Sequence, residues 1–138
     1  MTIDEVTLAR LRKEREEALV FGSEASAKFL SAWVAGVRII GEGYFTHNPR
    51  YAEPANSLNE VGDKWQLIPK WEFVENSIGV LSGGEAVLLS AMCSFYNSEW
   101  GDKLLHDLEI KGLGDVSGKL DIKERKIISD LMLYYTGW

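Results

Sequence analysis

Cysteine occurs once in this chain, at Cys93, and histidine twice, at His47 and His106. A lone thiol excludes an internal disulfide and any cysteine-based zinc cluster. Neither histidine has a second histidine at metal-binding spacing, so no H-E-x-x-H site exists and no metal is expected. Long apolar runs are also missing. None approaches the roughly 18 residues of a membrane span, and the N-terminus has no apolar signal core. These absences lead us to expect a cytoplasmic protein with no membrane partner. Cations are scarce where the apolar pattern is strongest: no Lys or Arg stands between Lys70 and Lys103.

What is present suits one folded domain. The chain has 138 residues, of which 46% are hydrophobic and 26% charged. That is long enough to bury a core, and too apolar for a disordered chain. The net charge of −6 argues against nucleic acid, whose binding draws mostly on lysines and arginines at phosphates. The one basic cluster, "ARLRKEREEALV", sets Arg10, Arg12 and Lys13 four residues before Glu14, Glu16 and Glu17. Pairs at i,i+4 are neighbours on a helix, so a solvated, salt-bridged face is expected there rather than a DNA-reading one.

Helical signals recur along the chain. A T-x-x-E box at Thr2 and Glu5 predicts a first helix to about Phe21, with a weak stripe of Leu8, Leu11, Ala18 and Leu19. Gly22–Ser23 marks a break. Phe29, Leu30, Trp33, Val34 and Val37 share one face of a second helix, which Gly41 ends. Residues 41–56, "GEGYFTHNPRYAEPAN", have no period and read as a long irregular loop. "SLNE", residues 57–60, suits a short helical turn. Residues 65–78 fit a helix begun by Pro69, although Trp71, Glu72 and Phe73 also alternate as a strand does. The stretch from Ala86 to Tyr96 is apolar almost all round, with Ser90, Ser94 and Asn97 as a narrow polar stripe, and predicts a buried helix. Asn97–Ser98 opens another, carrying Trp100, Leu104, Leu105 and Leu108. "IKGLGDVSGKL" reads as a glycine-rich connection. Asp121 and Glu124 start the last helix, with Ile127, Ile128, Leu131 and Tyr135 on one face and Gly137 as its terminator. The sum is an all-α bundle of five or six helices in a single domain, residues 1–138.

One pentapeptide stands out. "LSGGE", residues 81–85, resembles the signature motif of the ABC-transporter ATPases. That motif works opposite a phosphate-binding loop, GxxxxGK[ST]. The nearest string here, "GLGDVSGKL", places Gly112 six and Gly114 four positions before Gly118, and Leu120 stands where a magnesium-binding hydroxyl belongs. ATP is therefore not expected. Ser82 and Glu85 instead have the S-x-x-E spacing of a capping box, in which each side chain satisfies the other's backbone N–H.

Few residues invite a chemical role. Cys93, on the most apolar helix, should be an inert core thiol. His106, beside Asp107, reads as a surface histidine. His47 lies in the 41–56 loop with Tyr44, Arg50 and Tyr51, near Glu42 and Glu53, where a histidine beside a carboxylate could do acid–base work. Tyr and Arg are also residue types favoured at binding hot spots. Among five tryptophans, Trp33 and Trp100 fall on apolar faces and are expected in the core. The reading is a small acidic helical module, not an enzyme, that binds another protein through Tyr44, His47, Arg50 and Tyr51. The alternatives are a small enzyme or ligand-binding domain built on the same loop and His47, or a nucleic-acid-binding regulator acting through the N-terminal helix. No cofactor is implied, and self-association is left open.

Overall fold

The computed structural model describes residues 4–138. Among them are six α-helices: α1 (Glu5–Ile40), α2 (Trp71–Ser77), α3 (Gly83–Tyr96), α4 (Ser98–Asp107), α5 (Leu113–Lys119) and α6 (Ile122–Tyr134). Two short strands, β1 (Phe45–Thr46) and β2 (Ile68–Pro69), pair antiparallel, with Phe45 opposite Pro69 and Thr46 opposite Ile68. The all-α expectation holds.

α3 is the centre of the bundle. Every residue from Ala86 to Cys93 is buried, because this helix has apolar side chains on nearly all faces and packs against α1, α4 and α6. Ser90, from its polar stripe, is fully buried and donates its hydroxyl to the Ala86 carbonyl at 2.8 Å. Ser94 meets Gly101 of α4 so closely that a Cβ at Gly101 would lie 2.2 Å from the Ser94 Cβ. A serine facing a glycine brings the two helix backbones together. Cys93 is buried, as expected, and burial pushes its thiol up to about 12.

α1 departs from expectation. It is a single helix through Gly22 and Ser23, with no break. A mid-helix glycine costs only about 1 kcal/mol relative to alanine, and the Ser23 hydroxyl donates to the Val20 carbonyl at 2.9 Å inside the helix. The helix opens on Asp4, whose carboxylate accepts from Thr7 N–H at 2.7 Å. The expected cap at Thr2 lies outside the described residues. Gly41 ends the helix, its N–H donating to the Val37 carbonyl at 2.7 Å. Only the second half of α1 is packed. Ala25, Phe29, Ala32, Trp33, Gly36, Val37 and Ile40 are buried, chiefly against α6 and α3.

Other corrections are local. Pro69 does not begin a helix; it pairs in the strand ladder, and α2 starts two residues later at Trp71. Residues 65–78 thus hold both the strand and the helix. The glycine-rich connection contains α5. Gly137 does not terminate α6, which stops at Tyr134. It has φ of 99° within a terminal segment that turns Trp138 inward. There the Trp138 ring lies 4.6 Å from Trp33, 5.7 Å from Phe29 and 5.2 Å from Tyr96. Trp33 is fully buried and donates its indole N–H to the Leu67 carbonyl at 2.7 Å. Trp100 is half-buried rather than core, stacked on Trp71 at 4.8 Å.

Candidate functional site

The 41–56 segment is more ordered than its composition suggests. It contains a 3-10 turn at Glu42–Tyr44, then β1, then a turn closed by Tyr51 and Ala52 N–H groups donating to the Asn48 carbonyl at 3.0 and 2.9 Å. Asn48 also donates its N–H to the Trp65 carbonyl at 2.9 Å, which ties the turn to the segment before β2.

Its four candidate contacts divide between core and surface. Tyr44 is buried and donates its hydroxyl to the Ser77 carbonyl at 2.9 Å, with its ring 5.0 Å from Phe73. Burial raises that hydroxyl above the usual phenol range, and the Glu85 charge adds to the effect. Phe45 is buried beside Trp33. These two rings are architecture. Arg50 and Tyr51 point outward. Tyr51 is 56% exposed, its ring 4.7 Å from Trp65, and the Arg50 guanidinium stands 5.5 Å from the Tyr51 ring centre. His47 is half-buried and lines a hollow of about 190 Å³ with Glu42, Phe45, Pro54 and Gln66. That volume lies below the 300–1,000 Å³ usual for small-molecule sites. His47 and Glu42 share this wall without a hydrogen bond between them among the described residues. The four residues therefore do not converge on one point.

The LSGGE segment is a helix start. Ser82 Oγ accepts from Glu85 N–H at 3.2 Å, and Glu85 Oε1 accepts from Ser82 N–H at 3.1 Å. Asp121 and Glu124 repeat the box at α6, at 2.7 and 3.0 Å. The two boxes meet: a Cβ at Gly84 would lie 2.7 Å from Glu124 Oε1 and 3.0 Å from the Lys119 carbonyl. The second glycine of the motif is set by the approach of α6. Among the described residues no group of three His, Cys, Asp or Glu could hold a metal ion.

A further feature lies in the N-terminal helix, considered above only as a route to nucleic acid. From its cap at Asp4 to about Val20, α1 runs free of the bundle; Phe21 meets it, with its ring 5.9 Å from Tyr134 of α6, and every residue from Asp4 to Glu24 is exposed except the half-buried Thr7. At about 1.5 Å per residue this arm is on the order of 30 Å long. It displays Val6 at 81%, Leu19 at 66% and Leu11 at 43% exposure. Of its three expected i,i+4 ion pairs, only Arg10–Glu14 closes, at 3.9 Å. Leu8, Leu11, Ala18 and Leu19 form the weak stripe seen in the sequence. What hid its meaning was the expected break at Gly22, since a short separate helix could have folded its stripe back onto the core.

No helix among the described residues is long and apolar enough to cross a membrane. No protein-family model, no curated protein and no solved structure matches the chain.

Proposed function

We propose that this chain is a helical protein–protein interaction module whose docking element is the free half of α1. The observation that carries this is the arm itself: five turns of helix with Val6, Leu8, Leu11, Leu19 and Val20 in water. Helices in isolation gain little stability of their own, and most owe it to an apolar face packed on a neighbour. Exposed apolar surface of this extent marks an interaction site. Large apolar residues are exposed on the bundle as well, among them Val80, Leu113, Ile122, Met132 and Leu133, and what sets the stripe apart is its place on a helical segment that has no buried face. Arg50 and Tyr51 are a second exposed pair, a cation beside an aromatic ring, of residue types enriched at interfaces.

The test is a variant with Leu8, Leu11 and Leu19 all replaced by Asp. None of the three is buried, so melting should stay within about 7 °C of the parent, surface substitutions being worth about 0.5 kcal/mol or less each. Partners recovered with the parent by cross-linking and mass spectrometry, with cross-links mapping to Lys13, should be lost with the variant. Recovery of the same partners at the same yield would refute the docking role.

A further inference from the structure

The charge pattern of the arm specifies the chemistry of what covers it; this inference rests on the docking role just proposed. α1 carries one unbroken series at alternating steps of three and four: Leu8, Leu11, Arg15, Ala18, Gly22, Ala25, Phe29, Ala32, Gly36. From Ala25 onward the series is buried in the bundle. From Gly22 back to Leu8 the same seam continues into solvent. Steps of three and four are the heptad spacing by which one helix packs along another. A covering helix would therefore extend, along the arm, the packing that α6 supplies at its base.

Two features of the seam restrict that helix. Ala18 and Gly22 are small, so it can approach closely and place large residues there. Arg15 is the one charge in the seam between Leu8 and Gly22, and no carboxylate lies within 4.0 Å of its guanidinium among the described residues. Covering it removes water from a guanidinium, which is unfavourable unless the incoming surface brings a carboxylate.

A second copy of this chain is a poor fit. Parallel pairing sets Arg15 against Arg15 of the other copy. Antiparallel pairing that spans the arm sets Leu8 against Ala18, but it brings Arg12 against Arg12 and Glu14 against Glu14 where the flanking positions cross the two-fold axis. Like charges so placed oppose association. We infer that the arm is the receptor for a single amphipathic helix of a different protein, one that carries a carboxylate facing Arg15.

Two synthetic three-heptad peptides test this. Both carry Leu along the seam and the same uncharged flanking residues, and they differ only in having Glu or Lys at the seam position opposite Arg15. Binding to the full chain is read by fluorescence anisotropy, and self-association by sedimentation velocity. The Glu peptide should bind at least about tenfold tighter than the Lys peptide, Arg15→Glu should reverse the order, and the chain alone should sediment as a monomer. Equal binding of the two peptides, tighter binding of the Lys peptide, an Arg15→Glu variant with unchanged preference, or a dimer lost on Leu11→Asp would each overturn the inference. If neither peptide binds, the inference fails. The docking role then survives only if the triple-Asp variant still loses its cross-linked partner.

Discussion

Gly101→Ala and Gly22→Ala make the same chemical change in two helices and should move stability in opposite directions. At Gly101 a new Cβ would lie 2.2 Å from Ser94 Cβ, 2.4 Å from its Cα and 2.7 Å from its N. Ordinary carbon contacts are about 3.5–4.0 Å, so α3 and α4 would have to part by more than about 1 Å. Two of the three obstructing atoms are backbone, and α3 is packed on its other sides by α1 and α6, so no rotamer change relieves the clash. Overpacking of this kind costs about 1–3 kcal/mol and occasionally more. The better helix propensity of alanine returns at most about 1 kcal/mol. A net loss of about 1–2 kcal/mol follows, or roughly 3–10 °C in a domain of this size. At Gly22 a Cβ meets nothing within 4 Å, so only the propensity acts, and a gain of up to about 1 kcal/mol is expected. Urea unfolding followed by far-ultraviolet circular dichroism reports both, with the slope used to confirm that the transition remains two-state. A Gly101→Ala protein as stable as the parent would show that the α3–α4 contact is not the close approach described, and the reasoning from it would fall.

Two further outcomes can be checked. Ser82→Ala should cost about 1 kcal/mol through loss of the α3 cap, and ATP should leave the melting temperature of either protein unchanged; saturable ATP binding by calorimetry would contradict the capping account of LSGGE. Cys93 keeps its proton to about 12 in the folded chain, whereas the unfolded thiol titrates near 9. The contribution of this group is therefore fully present below about pH 9 and declines above it, by at most about 1.4 kcal/mol per pH unit, as the unfolded state releases a proton that the folded state retains. The thiol should resist a disulfide reagent until denaturant is added, and prompt modification of the folded chain would refute its burial.

Short-range chemistry was the most readable part of the sequence. Ser82 with Glu85 and Asp121 with Glu124 announce helix starts because both partners of each box lie within one turn. The apolar run from Ala86 to Cys93 announces the central helix for the same reason. Errors arose where a distant segment decided the outcome. Tyr44 and Arg50 look alike as loop residues, yet Tyr44 turns inward because the Ser77 carbonyl, 33 positions away, receives its hydroxyl. Pro69 has the φ of a helix start, but Phe45 holds it in a ladder. Gly22–Ser23 weakens a helix without ending it, because the residues after it are anchored in the bundle. α5 forms although Gly112, Gly114 and Gly118 argue against it, with Val116 and Leu120 packed on the core.

The continuity of α1 has a thermodynamic consequence for whatever it meets. Starting a helix is the unfavourable event, since several residues must be fixed before the first hydrogen bond forms, whereas adding a residue to an existing helix is nearly neutral. In α1 the buried half holds helical turns already fixed by packing, so the arm's residues are additions to an existing helix. A separate peptide with the arm's sequence would meet that cost anew at each encounter. Held on the bundle, the same residues would offer the proposed partner a helix whose nucleus already exists, so that less ordering entropy would oppose association. The globular part thereby serves as a permanent helix nucleus, and the arm's readiness should fall off with distance from Ala25 toward its tip.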